Sequence, residues 1–174
     1  KSRGMACSVY GAQYLLDALY AVGQGDYAFS LMTAEHDRGW LNMINVGSTV
    51  TLEAWDWKYK NNLDWNHAWG AAPANTIPRG LFGIEPVEPG AARIRIAPQP
   101  GPLTWARIKA PTVRGPVHAE IRRRDGEFAL LLTVPGNTIA QVRLPLFGRP
   151  TACEKDGRQV EYSVKDRFVV PKQA

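Results

Sequence analysis

The chain has 174 residues, of which 45% are hydrophobic, and a formal net charge of +5. This length allows one large domain or two small ones with a real hydrophobic core. No apolar run approaches the roughly 20 residues of a membrane-spanning helix, so we expect a soluble chain. The two cysteines, Cys7 and Cys153, are far apart in the sequence and fit neither a disulfide framework nor metal-site spacing.

Apolar residues recur at helical spacing in the first part of the chain. One stripe comprises Val9, Ala12, Leu16, Leu19 and Tyr20. It ends at Gly23-Gln24-Gly25, after which Asp26 is positioned to cap a second helix. A third helix is predicted from His67 to about Arg79, with breaks at Pro73 and Pro78. The first part therefore reads as helical hairpins.

After Gly83 the pattern changes to short strands separated by glycine- and proline-containing turns. The predicted strands are Ala92–Ile96, Ala106–Ala110, Val117–Arg123, Glu127–Val134, Ile139–Leu144, Val160–Ser163 and Phe168–Val170. Asp125-Gly126 indicates a two-residue type I′ hairpin, and strands at this spacing are typical of an antiparallel β-sandwich. The sequence therefore predicts an α+β chain in two segments, helical over residues 1–82 and a β-sandwich over residues 83–174.

The net positive charge raises the question of nucleic-acid binding. Arg93 and Arg95 alternate with Ile94 and Ile96, which puts the charges on the solvent face of a strand whose other face is core. No aromatic residues interleave with the basic ones as stacking platforms would. The pattern favours a solvated sheet face, so nucleic acid is not an expected partner.

The stretch from Trp40 to Trp69 contains five of the six tryptophans, together with Glu53, Asp56, Asp64 and His67 and five asparagines scattered between them. Sugar rings stack their apolar C–H face on indole, and their hydroxyls pair with amide, carboxylate and imidazole groups. Glycosidic-bond chemistry also depends on carboxyl groups. This composition indicates a carbohydrate site; the alternative is a tryptophan-rich core patch with polar loops.

Four segments carry a resemblance to one family. Gly47–Asp56 (GSTVTLEAWD) and Asp64–Ala71 (DWNHAWGA) resemble the end of the catalytic domain of bacterial alpha-L-rhamnosidases of glycoside hydrolase family 78. Ile94–Gly101 (IRIAPQPG) resembles the stretch that joins that domain to its C-terminal sandwich, and Val134–Thr138 (VPGNT) resembles a later part of the same sandwich. The segments follow each other in the family's order over nearly the whole chain.

The resemblance implies an architecture and a reaction. Residues 1–82 would be the last helices of an (alpha/alpha)6 barrel, and residues 83–174 the appended β-domain. These enzymes hydrolyse terminal alpha-L-rhamnosyl bonds with inversion, using two carboxyl groups. Glu53 matches the general base, whereas the general acid lies upstream in a part of the barrel absent here, so we expect this chain to be incomplete as an enzyme.

The implied partners follow from the same resemblance. They are a rhamnose-containing glycan or glycoside and the remainder of the catalytic barrel, on the same or a separate chain. The resemblance implies no cofactor and no metal, and it favours a periplasmic or secreted location.

The candidate substrate-binding residues are His67, Asn66, Trp40, Trp55 and Trp69. The resemblance assigns His67 to the sugar subsite, but a lone histidine near a helix start is also often a capping or buried hydrogen-bonding residue. Each tryptophan is either a stacking or wall residue or part of the core. Glu53 is alternatively a solvated loop carboxylate or a partner for Lys58 or Lys60.

The sequence also departs from the family. The commoner motif has Trp before the glutamate and Arg after it, whereas this chain has Leu52 and Ala54, and the insert Trp57–Leu63 is unusually long and polar. Neighbours of a carboxylate tune its pKa, so substrate detail is affected. Two rival functions stay open: a non-catalytic carbohydrate-binding or interaction module, and a barrel glycosidase or lyase of other specificity. Because only Trp105 lies in the predicted sandwich, the tryptophan distribution favours a catalytic domain.

Overall fold

The computed structural model describes residues 4–172, which form two compact units that divide between Leu81 and Phe82. The helices belong to the first unit and the strands to the second, so the predicted α+β order is confirmed. Within the described residues, no helix is both long and apolar enough to cross a membrane.

The first unit combines short helices with irregular chain. Its helices are α1 (Ala12–Ala21), α2 (Gly25–Met32), α3 (Trp40–Asn45) and α4 (Ala72–Thr76). Short 3₁₀ turns at Trp57–Tyr59 and Ala68–Gly70 and a π turn at Ile77–Leu81 complete it. Long irregular chain between α3 and α4 carries the tryptophan-rich segment.

The predicted stripe of the first helix forms part of the core. Ala12, Leu16 and Tyr20 are buried along α1, and Val9 is buried just before it. These residues share one face because a helix repeats every 3.6 residues. Leu19 is only half-buried.

Two helix predictions differ from the structure. Asp26 does not cap α2, because the helix already begins at Gly25 and Asp26 lies in its first turn, where a negative charge still suits the helix dipole. The helix predicted from His67 to Arg79 is split into a 3₁₀ turn, α4 and the π turn. Pro73 falls in the first turn of α4, where its missing N–H costs nothing, and Pro78 falls in the π turn.

The second unit consists of short strands. They are β1 (Ile84–Pro86), β2 (Arg93–Ile96), β3 (Trp105–Ala110), β4 (Val117–Arg124), β5 (Glu127–Thr133), β6 (Ile139–Val142), β7 (Leu144–Pro145), β8 (Glu154–Lys155), β9 (Arg158–Gln159), β10 (Tyr162–Lys165) and β11 (Phe168–Pro171). They form the sheets β1-β2-β6, β3-β4-β5 and β7-β11-β10, and the hairpin β8-β9. Alternate residues of β4, namely Val117, Ala119 and Ile121, point into the core.

The β4–β5 hairpin has the predicted turn. Asp125 and Gly126 both have positive φ angles, 48° and 83°, as a type I′ turn requires. One pairing departs from the predicted antiparallel arrangement, because β2 and β6 are parallel. Parallel neighbours need a long crossover, and here the β3-β4-β5 sheet lies within that connection.

Basic residues of the strands pair with carboxylates. Ion pairs join Arg93 to Glu88, Arg95 to Glu85, and Arg122 to Glu120. The carboxylates offset positive charge on the sheet faces, which agrees with the solvated faces that the alternation of charged and apolar residues predicts.

Candidate active site

Glu53 and His67 are brought together by two irregular segments that run side by side. The Glu53 N–H donates to the Asp64 carbonyl at 3.1 Å, and the His67 N–H donates to the Thr51 carbonyl at 2.9 Å. The Thr51 hydroxyl also donates to the His67 carbonyl at 2.7 Å. These bonds satisfy backbone groups that no helix or strand serves. They fix the two halves of the family-like motif next to each other.

The Glu53 carboxylate is held by two partners. Its Oε1 forms an ion pair with the Lys60 ammonium, and its Oε2 accepts a hydrogen bond from the Asp64 N–H at 3.2 Å. Its side chain is only 13% exposed. The Lys60 ammonium first, and then the Asp64 N–H, lower the pKa of Glu53 below its ordinary value. The side chain is therefore an ionised acceptor at neutral pH, and its lysine partner is Lys60.

His67 stands next to Glu53 at the start of the turn Ala68–Gly70, but its side chain makes no capping hydrogen bond. Its ring stacks on Trp69, with the centroids 4.1 Å apart and the planes 31° apart. Nδ1 has no hydrogen-bond partner in the described chain and lies 3.6 Å from Asp64 Oδ2. At 3.6 Å the contact with Asp64 is too long for a hydrogen bond, so this buried nitrogen is left without one.

Trp69 and Asn66 lie on the surface. Trp69 is 43% exposed, and its ring also contacts Tyr10 at a centroid distance of 5.2 Å. Asn66 is exposed just before His67. Both side chains are accessible to solvent.

Trp40 and Trp55 have structural contacts instead. Trp55 is 2% exposed and its Nε1 donates to the Cys7 carbonyl at 2.7 Å. Trp40 packs edge-on against it at 4.9 Å, and its Nε1 donates to the Gly70 carbonyl at 2.7 Å. Burial of the Trp55 ring favours the core-packing alternative for this residue, with Trp40 half-buried beside it.

An apolar cavity of about 410 Å³ lies elsewhere in the first unit. Trp40 and Thr51 contribute to its wall, together with Phe29, Ile77 and Leu81. None of its lining residues is ionisable, so the cavity cannot be the centre of an acid–base reaction. The chemical candidates lie at the Glu53 carboxylate.

The sequence did not single out Asp37, which fixes the insert near Glu53. Asp37 forms an ion pair with Lys58 and accepts a hydrogen bond from the Tyr59 hydroxyl at 3.1 Å. The Arg38 guanidinium lies over the Tyr59 ring at 5.0 Å. The contact spans about twenty residues of sequence, and no local pattern marks it. Lys58, the other candidate partner of Glu53, is thus engaged by Asp37.

Glu53, Asp64 and His67 each offer one ligand atom, and these atoms lie within 4.8 Å of one another. Such a group can coordinate a divalent cation when its carboxylates are free. Here the Lys60 ammonium already supplies the positive charge at Glu53. The arrangement therefore suits an ion pair better than a metal.

Comparisons with known proteins bear on the same two units. Residues 2–81 match the model of the bacterial alpha-L-rhamnosidase 6 hairpin glycosidase domain, and residues 83–159 match that of the bacterial alpha-L-rhamnosidase C-terminal domain. Curated proteins named alpha-L-rhamnosidase from Streptomyces avermitilis and Formosa agariphila are each 30% identical to 78% of this chain. The chain spans only 14% and 15% of their lengths.

Solved structures of alpha-L-rhamnosidases also match most of the chain. The alpha-L-rhamnosidase from Dictyoglumus thermophilum matches 93% of this chain with a TM-score of 0.84; at 20% identity it supports the fold alone. The Streptomyces avermitilis alpha-L-rhamnosidase complexed with L-rhamnose matches 92% of the chain with a TM-score of 0.71 and 27% identity. The chain covers 19% and 16% of those two proteins.

Proposed function

Because the chain belongs to the bacterial alpha-L-rhamnosidase family, we propose that it is part of a glycoside hydrolase that cleaves terminal alpha-L-rhamnosyl bonds with inversion. In this proposal Glu53 is the general base. The observation that carries it is the ionised, largely buried Glu53 carboxylate, held by Lys60 and the Asp64 N–H beside His67 and Trp69.

The Glu53 carboxylate has the chemistry that the base step needs. In an inverting reaction, water attacks the anomeric carbon from the face opposite the leaving group, and the base takes a proton from that water. A carboxylate offers about four acceptor sites, and Lys60 and Asp64 use two of them. Glu53 therefore keeps acceptor capacity for a water molecule.

The general acid is a different group from the nearby Asp64. An inverting pair needs carboxyl groups roughly 6.5–9.5 Å apart so that the water fits between them. An Asp64 carboxylate oxygen lies within 4.8 Å of a Glu53 oxygen, and its side chain is 70% exposed. Asp64 is too close to serve as that acid, so we assign the acid to a part of the enzyme outside these residues.

The neighbours of Glu53 are assigned to the sugar. The exposed part of the Trp69 side chain suits contact with the apolar C–H groups of a sugar ring, and the half-buried His67 imidazole suits a hydrogen bond to a sugar hydroxyl. Asn66 offers a second polar contact from its exposed position. Trp40 and Trp55 are not assigned to stacking, because Trp55 is buried in the core and Trp40 packs edge-on against it.

The test replaces Glu53 by glutamine in the complete enzyme and adds azide. Glu53→Gln preserves the shape but removes the base, so turnover of an aryl alpha-L-rhamnoside should fall by about 10²–10⁴ while rhamnose affinity stays close to wild type. Azide attacks the anomeric carbon without needing a base. It should therefore restore the rate and yield a beta-rhamnosyl azide.

Asp64→Asn is the matched comparison, because it makes the same carboxylate-to-amide change beside Glu53. Azide rescue should be confined to Glu53→Gln. Hydrolysis by Glu53→Gln at the wild-type rate would refute the assignment of the base. Sugar binding without any turnover by the complete protein would support a carbohydrate-binding module instead.

A further inference from the structure

The segment Trp57–Leu63, which the sequence marks as an insert, forms a loop that is held at three points. At its start, the Asp56 side chain accepts a hydrogen bond from the Lys58 N–H at 3.2 Å and caps the turn Trp57–Tyr59. At its end, Leu63 is buried at 5% exposure. Between them, Lys58 and Tyr59 both contact Asp37. The loop is therefore held on both sides of Lys60.

Lys60 extends from this loop to Glu53. Its ammonium pairs with Oε1, and the Lys60 and Glu53 side chains are 35% and 13% exposed. A freely exposed lysine pair contributes little, because solvent screens it and the side chains lose rotamer entropy. Here the turn Trp57–Tyr59 limits the positions of Lys60, and Glu53 is shielded from water. Both conditions strengthen the interaction.

We propose that Lys60 is the positioning residue of the general base, and that the contacts of Lys58 and Tyr59 with Asp37 keep Lys60 in register with Glu53. This inference rests on the proposed role of Glu53. The ammonium on Oε1 disfavours a proton there, so the proton from the attacking water goes to Oε2. The Asp64 N–H at 3.2 Å from Oε2 fixes the direction of that oxygen.

The pH dependence of the reaction follows from the same contacts. The titratable groups that face Glu53 are Lys60, Asp64 and His67. The Lys60 contact is the largest cause of the lowered pKa of Glu53. A base works only when ionised, so Lys60 extends activity to lower pH. Removing the ammonium should move the acid limb of kcat/KM to higher pH, because the pKa of Glu53 then rises.

The experiment measures kcat/KM against pH for the complete enzyme and for Lys60→Met and Lys60→Arg. Lys60→Met should shift the acid limb to higher pH and lose most of its rate at the acid end, with a smaller loss on the plateau. Lys60→Arg keeps the charge and should restore the wild-type limb. His67 and Asp64 are present in every variant, so the comparison tests the change at residue 60.

Two further variants separate positioning from folding. Lys172→Met removes an exposed ion pair with Glu161 in the second unit and should leave the pH profile unchanged. Asp37→Asn weakens the anchor and should shift the acid limb in the same direction as Lys60→Met, but less. If the thermal melt shows that Lys60→Met does not fold, kcat/KM is measured against pH for Lys60→Gln instead.

The outcomes distinguish the two proposals. An unchanged acid limb in a folded Lys60→Met enzyme, with Glu53→Gln still inactive, would overturn the role of Lys60 and leave the base assignment standing. Full hydrolysis by Glu53→Gln would instead overturn the base assignment itself. A shift that Lys60→Arg reverses supports the positioning role, since a merely structural contact would change stability without moving the limb.

Discussion

Trp55→Ala should destabilise the first unit, because the structure makes this residue part of the core. The indole is 2% exposed, packs edge-on against Trp40 at 4.9 Å and donates to the Cys7 carbonyl at 2.7 Å. Truncating a buried tryptophan typically costs about 3–5 kcal/mol. The unpaired Cys7 carbonyl is part of that loss, so we expect a decrease of about 4 kcal/mol in the free energy of unfolding.

Trp69→Ala is the matched control, since it removes the same side chain from a surface that is 43% exposed. Its free energy of unfolding should change by less than about 1 kcal/mol. In the complete enzyme it should weaken rhamnose binding by roughly 0.5–1.5 kcal/mol, up to about tenfold. Urea unfolding followed by circular dichroism and titration with rhamnose measure the two effects. A stable Trp55→Ala protein that loses only rhamnose affinity would refute the core role of Trp55.

Four other outcomes are expected. The 174-residue chain alone should release no nitrophenol from an aryl alpha-L-rhamnoside, because leaving-group protonation contributes about 10²–10⁴ in rate and its acid is not supplied here; turnover abolished by Glu53→Gln would contradict this. His67→Ala in the complete enzyme should weaken rhamnose binding as well as turnover, by about 1–3 kcal/mol if a sugar hydroxyl loses its partner, and calorimetry measures the binding. Gly83→Ala should lower the free energy of unfolding, measured in urea, by at least about 2 kcal/mol, because φ is +64° and the added Cβ would lie 2.1 Å from the Ala97 carbonyl oxygen. Gly126→Ala is the control: φ is +83° but no atom lies near the added Cβ, so the loss should be only about 1 kcal/mol. The pKa of Glu53 is lowered in the folded chain, so the ionised carboxylate contributes stability above its unfolded pKa, and this contribution is lost as pH falls through the folded pKa. The urea midpoint should therefore fall less steeply from neutral to acid pH for Glu53→Gln than for the wild-type chain.

Many strands of the second unit could be predicted from the alternation of apolar and polar residues, and the strands that were not predicted have physical reasons. The strands β1, β8 and β9 have only two or three residues, too few for a period-two pattern. The predicted strand Ile139–Leu144 is interrupted at Arg143, whose N–H still bonds to the Ile96 carbonyl, whereas Leu144 pairs with Val169. The chain changes sheets at this point. A pairing partner far along the sequence decides that change, so local composition cannot reveal it.

The candidate site shows the same limit. The motif around Glu53 can be recognised because its residues adjoin in sequence, and the sequence offers Lys58 and Lys60 as partners for the carboxylate. The choice between them depends on Asp37, which engages Lys58 from about twenty residues away. Trp55 and Trp69 are likewise equivalent by composition. Only tertiary packing buries one ring and exposes the other.

Ala54 follows Glu53 directly, where the motif that this segment resembles commonly has an arginine, so the adjacent residue supplies no positive charge to Glu53. A carboxylate with 13% exposure loses hydration and needs a compensating charge to stay ionised. Lys60 supplies that charge from the insert Trp57–Leu63. The contacts of Lys58 and Tyr59 with Asp37 hold this segment in place while Lys60 pairs with Glu53.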